Sequence, residues 1–323
     1  MARSEAPRNP GRGSAGVSPA ALILPLGAGF GYACGAVAIK RALSAGASGA
    51  WVNLLCNTAM AVLFQGLWLL PGHPLDPELL LAPVLCGLLF FMGQVFTFRA
   101  IDTGDVSVAT PLLGSKVLLV ALFSFLLIGK SLPHAIWMAS LMASLGIGLI
   151  SYSPGGKHTR LLEAIAWSLA AAAVFALTDV LVQRWVPLVG YSRFAPLMFG
   201  SVGLFSVVYV PSLMVSRASS KGGSVQHFLV EASRLSKSLP WLLVGALLLA
   251  VQALAMYSAI GLFGSATMTN ILYGSRCLWS VLLVWVLGSM AGDFSTGQKQ
   301  VGMMIRRLIG AVLLFGAMAL VLE

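Results

Sequence analysis

The chain has 323 residues, of which 58% are apolar and only 9% charged, and its mean hydropathy is +0.91. A soluble globule of this size needs far more surface charge, so soluble enzymes and nucleic-acid-binding domains are excluded and a membrane protein is indicated. The formal charge of +10 is scattered between apolar runs, which is the pattern of loop anchors and not of a nucleic-acid patch.

Residues 1–20 carry Arg3, Arg8 and Arg12 among Pro, Gly and Ser and read as a disordered tail. The apolar run that follows is too long for the core of a signal peptide and reads as a first spanning helix. Each crossing takes about 20 apolar residues, and ten spans are expected at roughly 21–43, 49–70, 79–101, 105–128, 134–152, 161–184, 194–215, 240–262, 265–288 and 300–322. The links are short and rich in turn formers, such as Pro71-Gly72-His73-Pro74 and Ser153-Pro154-Gly155-Gly156. The longer stretch from Ser216 to Leu239 is expected to hold an amphipathic surface helix around Val225 to Leu235. Cys34, Cys56, Cys86 and Cys277 lie inside apolar runs, where neither a disulfide framework nor a metal knuckle is expected, and no cofactor is called for. In the first span Gly27, Gly31 and Gly35, with Gly29 beside them, form a smooth stripe that serves either sliding of a neighbouring helix or simple close packing.

The two halves of the chain match. Phe98-Arg99-Ala100-Ile101, followed by Ala109-Thr110-Pro111-Leu112-Leu113-Gly114-Ser115-Lys116, corresponds to Tyr257-Ser258-Ala259-Ile260, followed by Thr269-Asn270-Ile271-Leu272-Tyr273-Gly274-Ser275-Arg276. Upstream, Gly87 and Gln94 match Gly245 and Gln252. Five helices per unit is an odd number, so the second unit enters the membrane from the opposite side. The expected fold is therefore all-α, ten transmembrane helices as two inverted five-helix repeats, with a cavity between them near the midplane. The divisions are a tail at 1–20, a first repeat at 21–152, a linker at 153–160 and a second repeat at 161–323.

At these residues the chain resembles the drug/metabolite transporter superfamily, specifically its ten-helix EamA-type permeases. The likeness runs from about residue 20 to 322. It rests on Ala100-Ile101-Asp102-Thr103-Gly104-Asp105-Val106-Ser107-Val108-Ala109-Thr110-Pro111-Leu112, similar to the family's entry into its fourth helix, and on Leu308-Ile309-Gly310-Ala311-Val312-Leu313-Leu314-Phe315-Gly316, similar to its closing helix. Lys130 stands where the family often has a glutamate. The resemblance implies a multi-pass protein of a plasma (bacterial inner) membrane that exports amino acids or related small metabolites.

Of the twenty Lys and Arg, only Lys116 and Arg276 fall near the middle of spans, the fourth and the ninth. A charge at the bilayer centre costs about 2.5–3.5 kcal/mol, so such residues face protein or water and are functional candidates. Their matched positions place both on one cavity. Two like charges there require an anion, supplied by the substrate or by the protein. The alternatives for Lys116 are bonding to carbonyls freed by Pro111 or pairing with Asp179. Asp179, in the sixth span and nearer its end than its centre, is a candidate for a coupling proton or for a counter-ion to Arg184 or Lys40. Tyr273, Thr110, Asn270, Asn53, Asn57, Gln94 and Gln252 complete the candidate substrate-binding set, with interhelical packing as the alternative for each amide. Pro111 is a candidate hinge. Its counterpart is Ile271, so any bend is expected in the first half alone.

No nucleotide-binding motif is present to drive transport, and every histidine lies in a link, away from any acid–base cluster. The expectation is a secondary active transporter of a small polar metabolite, anionic or zwitterionic, working by alternating access. A polyspecific drug exporter and a non-transporting scaffold are the rivals; an enzyme is not expected. Expected partners are a small-molecule substrate and membrane lipid, with a homodimer left open. The loop cations place both termini outside by the positive-inside rule, whereas the resemblance implies cytoplasmic termini.

Overall fold

The computed structural model describes residues 18–72, 74–103, 111–129, 131–152, 160–220, 225–291 and 298–322. Apolar runs without internal charge leave a backbone in lipid no partner but itself, so they close into helices. These are α1 Pro19–Ser44, α2 Gly49–Gln65, α3 Leu81–Thr103, α4 Lys116–Ile128, α5 His134–Ser151, α6 Leu161–Val189, α7 Tyr191–Ser220, α8 Val225–Phe263, α9 Ala266–Tyr273, α10 Arg276–Ala291 and α11 Gln298–Leu322. A helical turn at 111–113 leads into α4, and together they give a span from Pro111 to Ile128. Proline starts α1, where the missing N–H is not needed, and the Ser48 hydroxyl accepts from Trp51 N–H at 3.5 Å to cap α2. Gly129 ends α4 at φ +68° and Gly264 turns the chain between α8 and α9 at φ +62°, a region that side chains avoid.

Among the described residues nine helices are long and apolar enough to cross a membrane. The expected ninth span is the departure: it is two helices, α9 and α10, parted at Gly274-Ser275. The amphipathic segment expected on the surface is not a separate helix either, because it continues through Pro240 as the first part of α8.

The helices pair across the halves of the chain. α1 packs along α8, α3 along α6, α2 along α7, and α5 along α11, while α4 lies on α6 as α9 and α10 lie on α1. Small residues set these approaches. A Cβ on Gly146 would come 2.7 Å from the carbonyl of Gly310, and one on Gly310 would come 2.8 Å from that of Gly146, so α5 and α11 meet backbone to backbone. Three of the four glycines of α1 serve packing in the same way: a Cβ on Gly35 would meet Leu249 at 3.0 Å, and one on Gly29 would meet Ser275 Oγ at 2.6 Å, whereas one on Gly27 would meet nothing within 4 Å. The core of the bundle is aromatic, with Phe64 stacked on Phe199 at 3.9 Å and Phe90 edge-on to Phe199 at 5.5 Å.

Candidate functional site

Both central cations stand at helix breaks with the same hydrogen bonding. Gly114 N–H donates to Pro111 O at 3.0 Å, Ser115 to Leu112, Val117 to Gly114, and Leu119 to Ser115. The matched bonds run from Gly274 to Ile271 at 3.1 Å, Ser275 to Leu272, Cys277 to Gly274, and Trp279 to Ser275. Each break is a tight turn, and each new helix opens on the cation, Lys116 in α4 and Arg276 in α10. The expected asymmetry is thus corrected. Ile271 occupies the place of Pro111 and the turn still forms, so the glycine-serine pair, and not proline, fixes the geometry.

The breaks face a cavity of about 350 Å³ walled by α1, α2, α3, α4, α6, α8, α9 and α10. Lys116, Arg276, Tyr273, Asn53, Asn57, Gln94 and Gln252 all line it. Asn270 does not contribute to the wall, and Thr110 lies outside the described residues. Most of the remaining wall is apolar, including Phe90, Phe98, Phe175, Met60 and Met256.

The two cations have different surroundings. Lys116 Nζ sits 2.7 Å from Asp179 Oδ2, with the aspartate fully buried. The same carboxylate accepts from Asn270 Nδ2 at 2.7 Å and from the Tyr257 hydroxyl at 3.1 Å. Three donors from α4, α8 and α9 converge on one acceptor of α6, so the buried carboxylate finds its hydrogen bonds within the protein. Asp179 is therefore a counter-ion to Lys116; Arg184 instead donates to the Leu127 carbonyl at 3.1 Å. Its depth also corrects the sequence reading. Helix α6 continues to Val189, ten residues past Asp179, a rise of about 15 Å, so Asp179 stands nearer the middle of the helix than its end.

Arg276 has no carboxylate partner among the described residues, whose ion pairs are Lys116–Asp179 and Arg160–Glu163. Its guanidinium carbon lies 4.6 Å from the ring centre of Tyr273 and 5.2 Å from that of Tyr32. Aromatic faces steady a cation without cancelling its charge. Since Lys116 and Asp179 cancel, the cavity presents one positive charge, on the α10 side.

The amides also divide by half. Asn57 Nδ2 lies 2.7 Å from Gln94 Oε1 and 2.6 Å from Ser206 Oγ, Gln94 returns a bond to Asn57 Oδ1 at 2.9 Å, and Asn53 donates to Gln94 at 3.0 Å. This network ties α2 to α3 and α7. The repeat partner of Gln94, Gln252, has a buried Oε1 with no hydrogen-bond partner. An unpaired acceptor in a low-dielectric wall is costly unless a ligand donor meets it.

Tyr32, Tyr257 and Phe175 were missed as site residues. Tyr257 had a signal, because its repeat counterpart Phe98 lacks the hydroxyl that reaches Asp179. Phe175 and Tyr32 had none: the Phe175 ring lies 5.8 Å from Lys116 Nζ through tertiary packing alone.

Residues 19–152, the whole first unit from α1 to α5, match the EamA-like transporter family. Over these residues the chain is similar to that family, which lies within the drug/metabolite transporter superfamily. Members of that family are membrane transporters, and the apolar helices among the described residues make the chain an integral, multi-pass membrane protein. Twenty-eight chains of solved structures also match. One, a protein crystal structure, is 17% identical over 93% of this chain and 95% of its own, with a TM-score of 0.63, a likeness that shows the shared fold. No curated protein matches.

Proposed function

We propose that the protein is a secondary active transporter for a small anionic or zwitterionic metabolite, such as an amino acid, another carboxylate or a phosphorylated compound. Alternating access between two inverted five-helix units moves the substrate. The carrying observation is the uncompensated Arg276 on a mid-membrane cavity whose other cation, Lys116, is already neutralised by Asp179. A carboxylate about 4 Å from the guanidinium gains roughly 4 kcal/mol at an effective dielectric of about 20, comparable to the cost of placing the arginine there. One uncancelled charge favours a substrate that brings one anionic group to this point.

The inverted-repeat reading is supported by the packing. Exchanging each helix of the first unit for its counterpart in the second preserves the most extensive pairings, α1 with α8 and α3 with α6, α2 with α7, and α5 with α11, and the two breaks share their backbone bonds. Paired breaks at the midplane are where transporters place substrate groups. A polyspecific exporter is the second reading, favoured by the apolar wall around Phe90, Phe98 and Phe175. A cationic drug has less to recommend it, because the described wall offers no carboxylate.

Uptake of radiolabelled metabolites into proteoliposomes tests the proposal. Saturable uptake of an anion or zwitterion by the wild type, reduced at least about tenfold at low substrate concentration by Arg276→Gln, is the expected result. Uptake restricted to cations or neutral compounds, or unaltered by the substitution, overturns it.

A further inference from the structure

Outside the central site, a groove of about 220 Å³ opens on the outer face where α5, α10 and α11 meet. Its wall is apolar, formed by Ile150, Leu278, Leu282, Trp285 and Ala311, with Arg307 the one charged residue lining it. Trp285 is 63% exposed, so this face looks into lipid. Arg307 Nε is buried without a hydrogen-bond partner, and the residue belongs to neither ion pair of the described residues. Beside it Arg306 donates to the Tyr152 carbonyl at 2.6 Å and lies 4.6 Å from the Tyr152 ring centre.

Depth decides what meets this arginine. The apolar part of α11 begins at Gly302, and Arg307 is five residues on, a rise of about 8 Å. Tyr152 closes α5, and tryptophan, tyrosine and arginine together mark the level of lipid headgroups. Below that level the groove offers only hydrocarbon contacts.

We infer that this groove is a binding site for an anionic phospholipid, its phosphate on Arg307 and an acyl chain along Leu278, Leu282 and Trp285. Charge complementarity favours lipid over a second copy of the chain. A two-fold dimer on this face would bring the patch against itself, arginine toward arginine, with no described carboxylate to separate them. An anionic headgroup supplies the missing charge, and its chain fills the slot between the first unit's α5 and the second unit's α10 and α11. The site is independent of the central cavity and of the substrate assigned to it.

Native mass spectrometry of the full chain, released from detergent containing equal amounts of dioleoyl phosphatidylglycerol and dioleoyl phosphatidylcholine, tests this. The wild type should retain phosphatidylglycerol preferentially. Arg307→Gln should lower that preference about fivefold, the size expected for one arginine at a membrane surface, whereas Lys237→Gln should keep it. Photo-crosslinking of the wild type with a phosphatidylglycerol carrying a diazirine in its acyl chain gives the location without any variant, and label on residues 278–285 and 307–311 is expected. Equal retention of both lipids, an unchanged preference in Arg307→Gln, label confined to other helices, or a lipid-free dimer would each overturn the inference.

Discussion

Asp179 holds the one buried ion pair of the described residues, and its removal has a cost that can be stated. Asp179→Asn leaves Lys116 charged and unpaired, which should destabilise the protein by about 3–5 kcal/mol. Removing both charges at once should recover part of that loss, because the remaining amides can bond to one another. Thermal unfolding in detergent of Asp179→Asn, Lys116→Gln and the double variant measures the coupling. Additive losses would show that the 2.7 Å pair contributes no specific interaction. Arg276 behaves differently in this scheme: it has no counter-charge to strand among the described residues, so Arg276→Gln should leave the melting temperature within a few degrees of wild type while abolishing stabilisation by an anionic substrate. A large drop in the melting temperature without ligand would instead mark Arg276 as structural. The difference between the two cations, one silenced and one available, was not legible in the sequence, where they hold equivalent places.

Among the elements, the breaks ahead of α4 and α10 depend on Gly114-Ser115 and Gly274-Ser275. Pro111→Ala should therefore keep both turn and transport, since Ile271 supports the same turn in the second half. Uptake by Pro111→Ala below about a third of the wild-type rate would restore proline to the role of hinge. The contact of α5 with α11 is less forgiving. A valine at position 310 puts carbon within 2.8 Å of the Gly146 carbonyl, and Gly310→Val should cost about 1–3 kcal/mol through forced separation of the helices, read as a lowered melting temperature. Hydropathy located most helix ends to within about five residues, but not the start of α8 at Val225 nor the parting of α9 from α10, because breaking a helix inside the membrane leaves its apolar composition unchanged.

At the scale of the molecule, the extensive pairing of helices across the two halves of the chain puts the cavity on a seam between them. Rocking of one unit on the other should then change the access of water to residues on the seam. In a cysteine-free background, Gln252→Cys should react with a membrane-impermeant thiol reagent at a rate that substrate changes severalfold, because the ligand selects one closed or open state. A rate indifferent to every transported compound would indicate a static cavity. The anionic lipid assigned to the outer groove sits across the same seam, at its membrane-surface end.

The sequence by itself determined the solvent and the class, since apolar runs long enough to cross a bilayer have only helices open to them, and the matched segments around Pro111 and Ile271 pointed to a cation in each half. Composition and spacing suffice for these properties because each depends on neighbours along the chain. Which cation is neutralised, which amides are satisfied and which acceptor is left for a ligand were decided only by the tertiary structure. Lys116 and Asp179 are far apart in sequence and meet because α4 lies on α6; Gln94 is sated by Asn57, whereas Gln252 is not. Charge pairing acts over a few ångströms, and only the packing of the helices brings such groups within that distance.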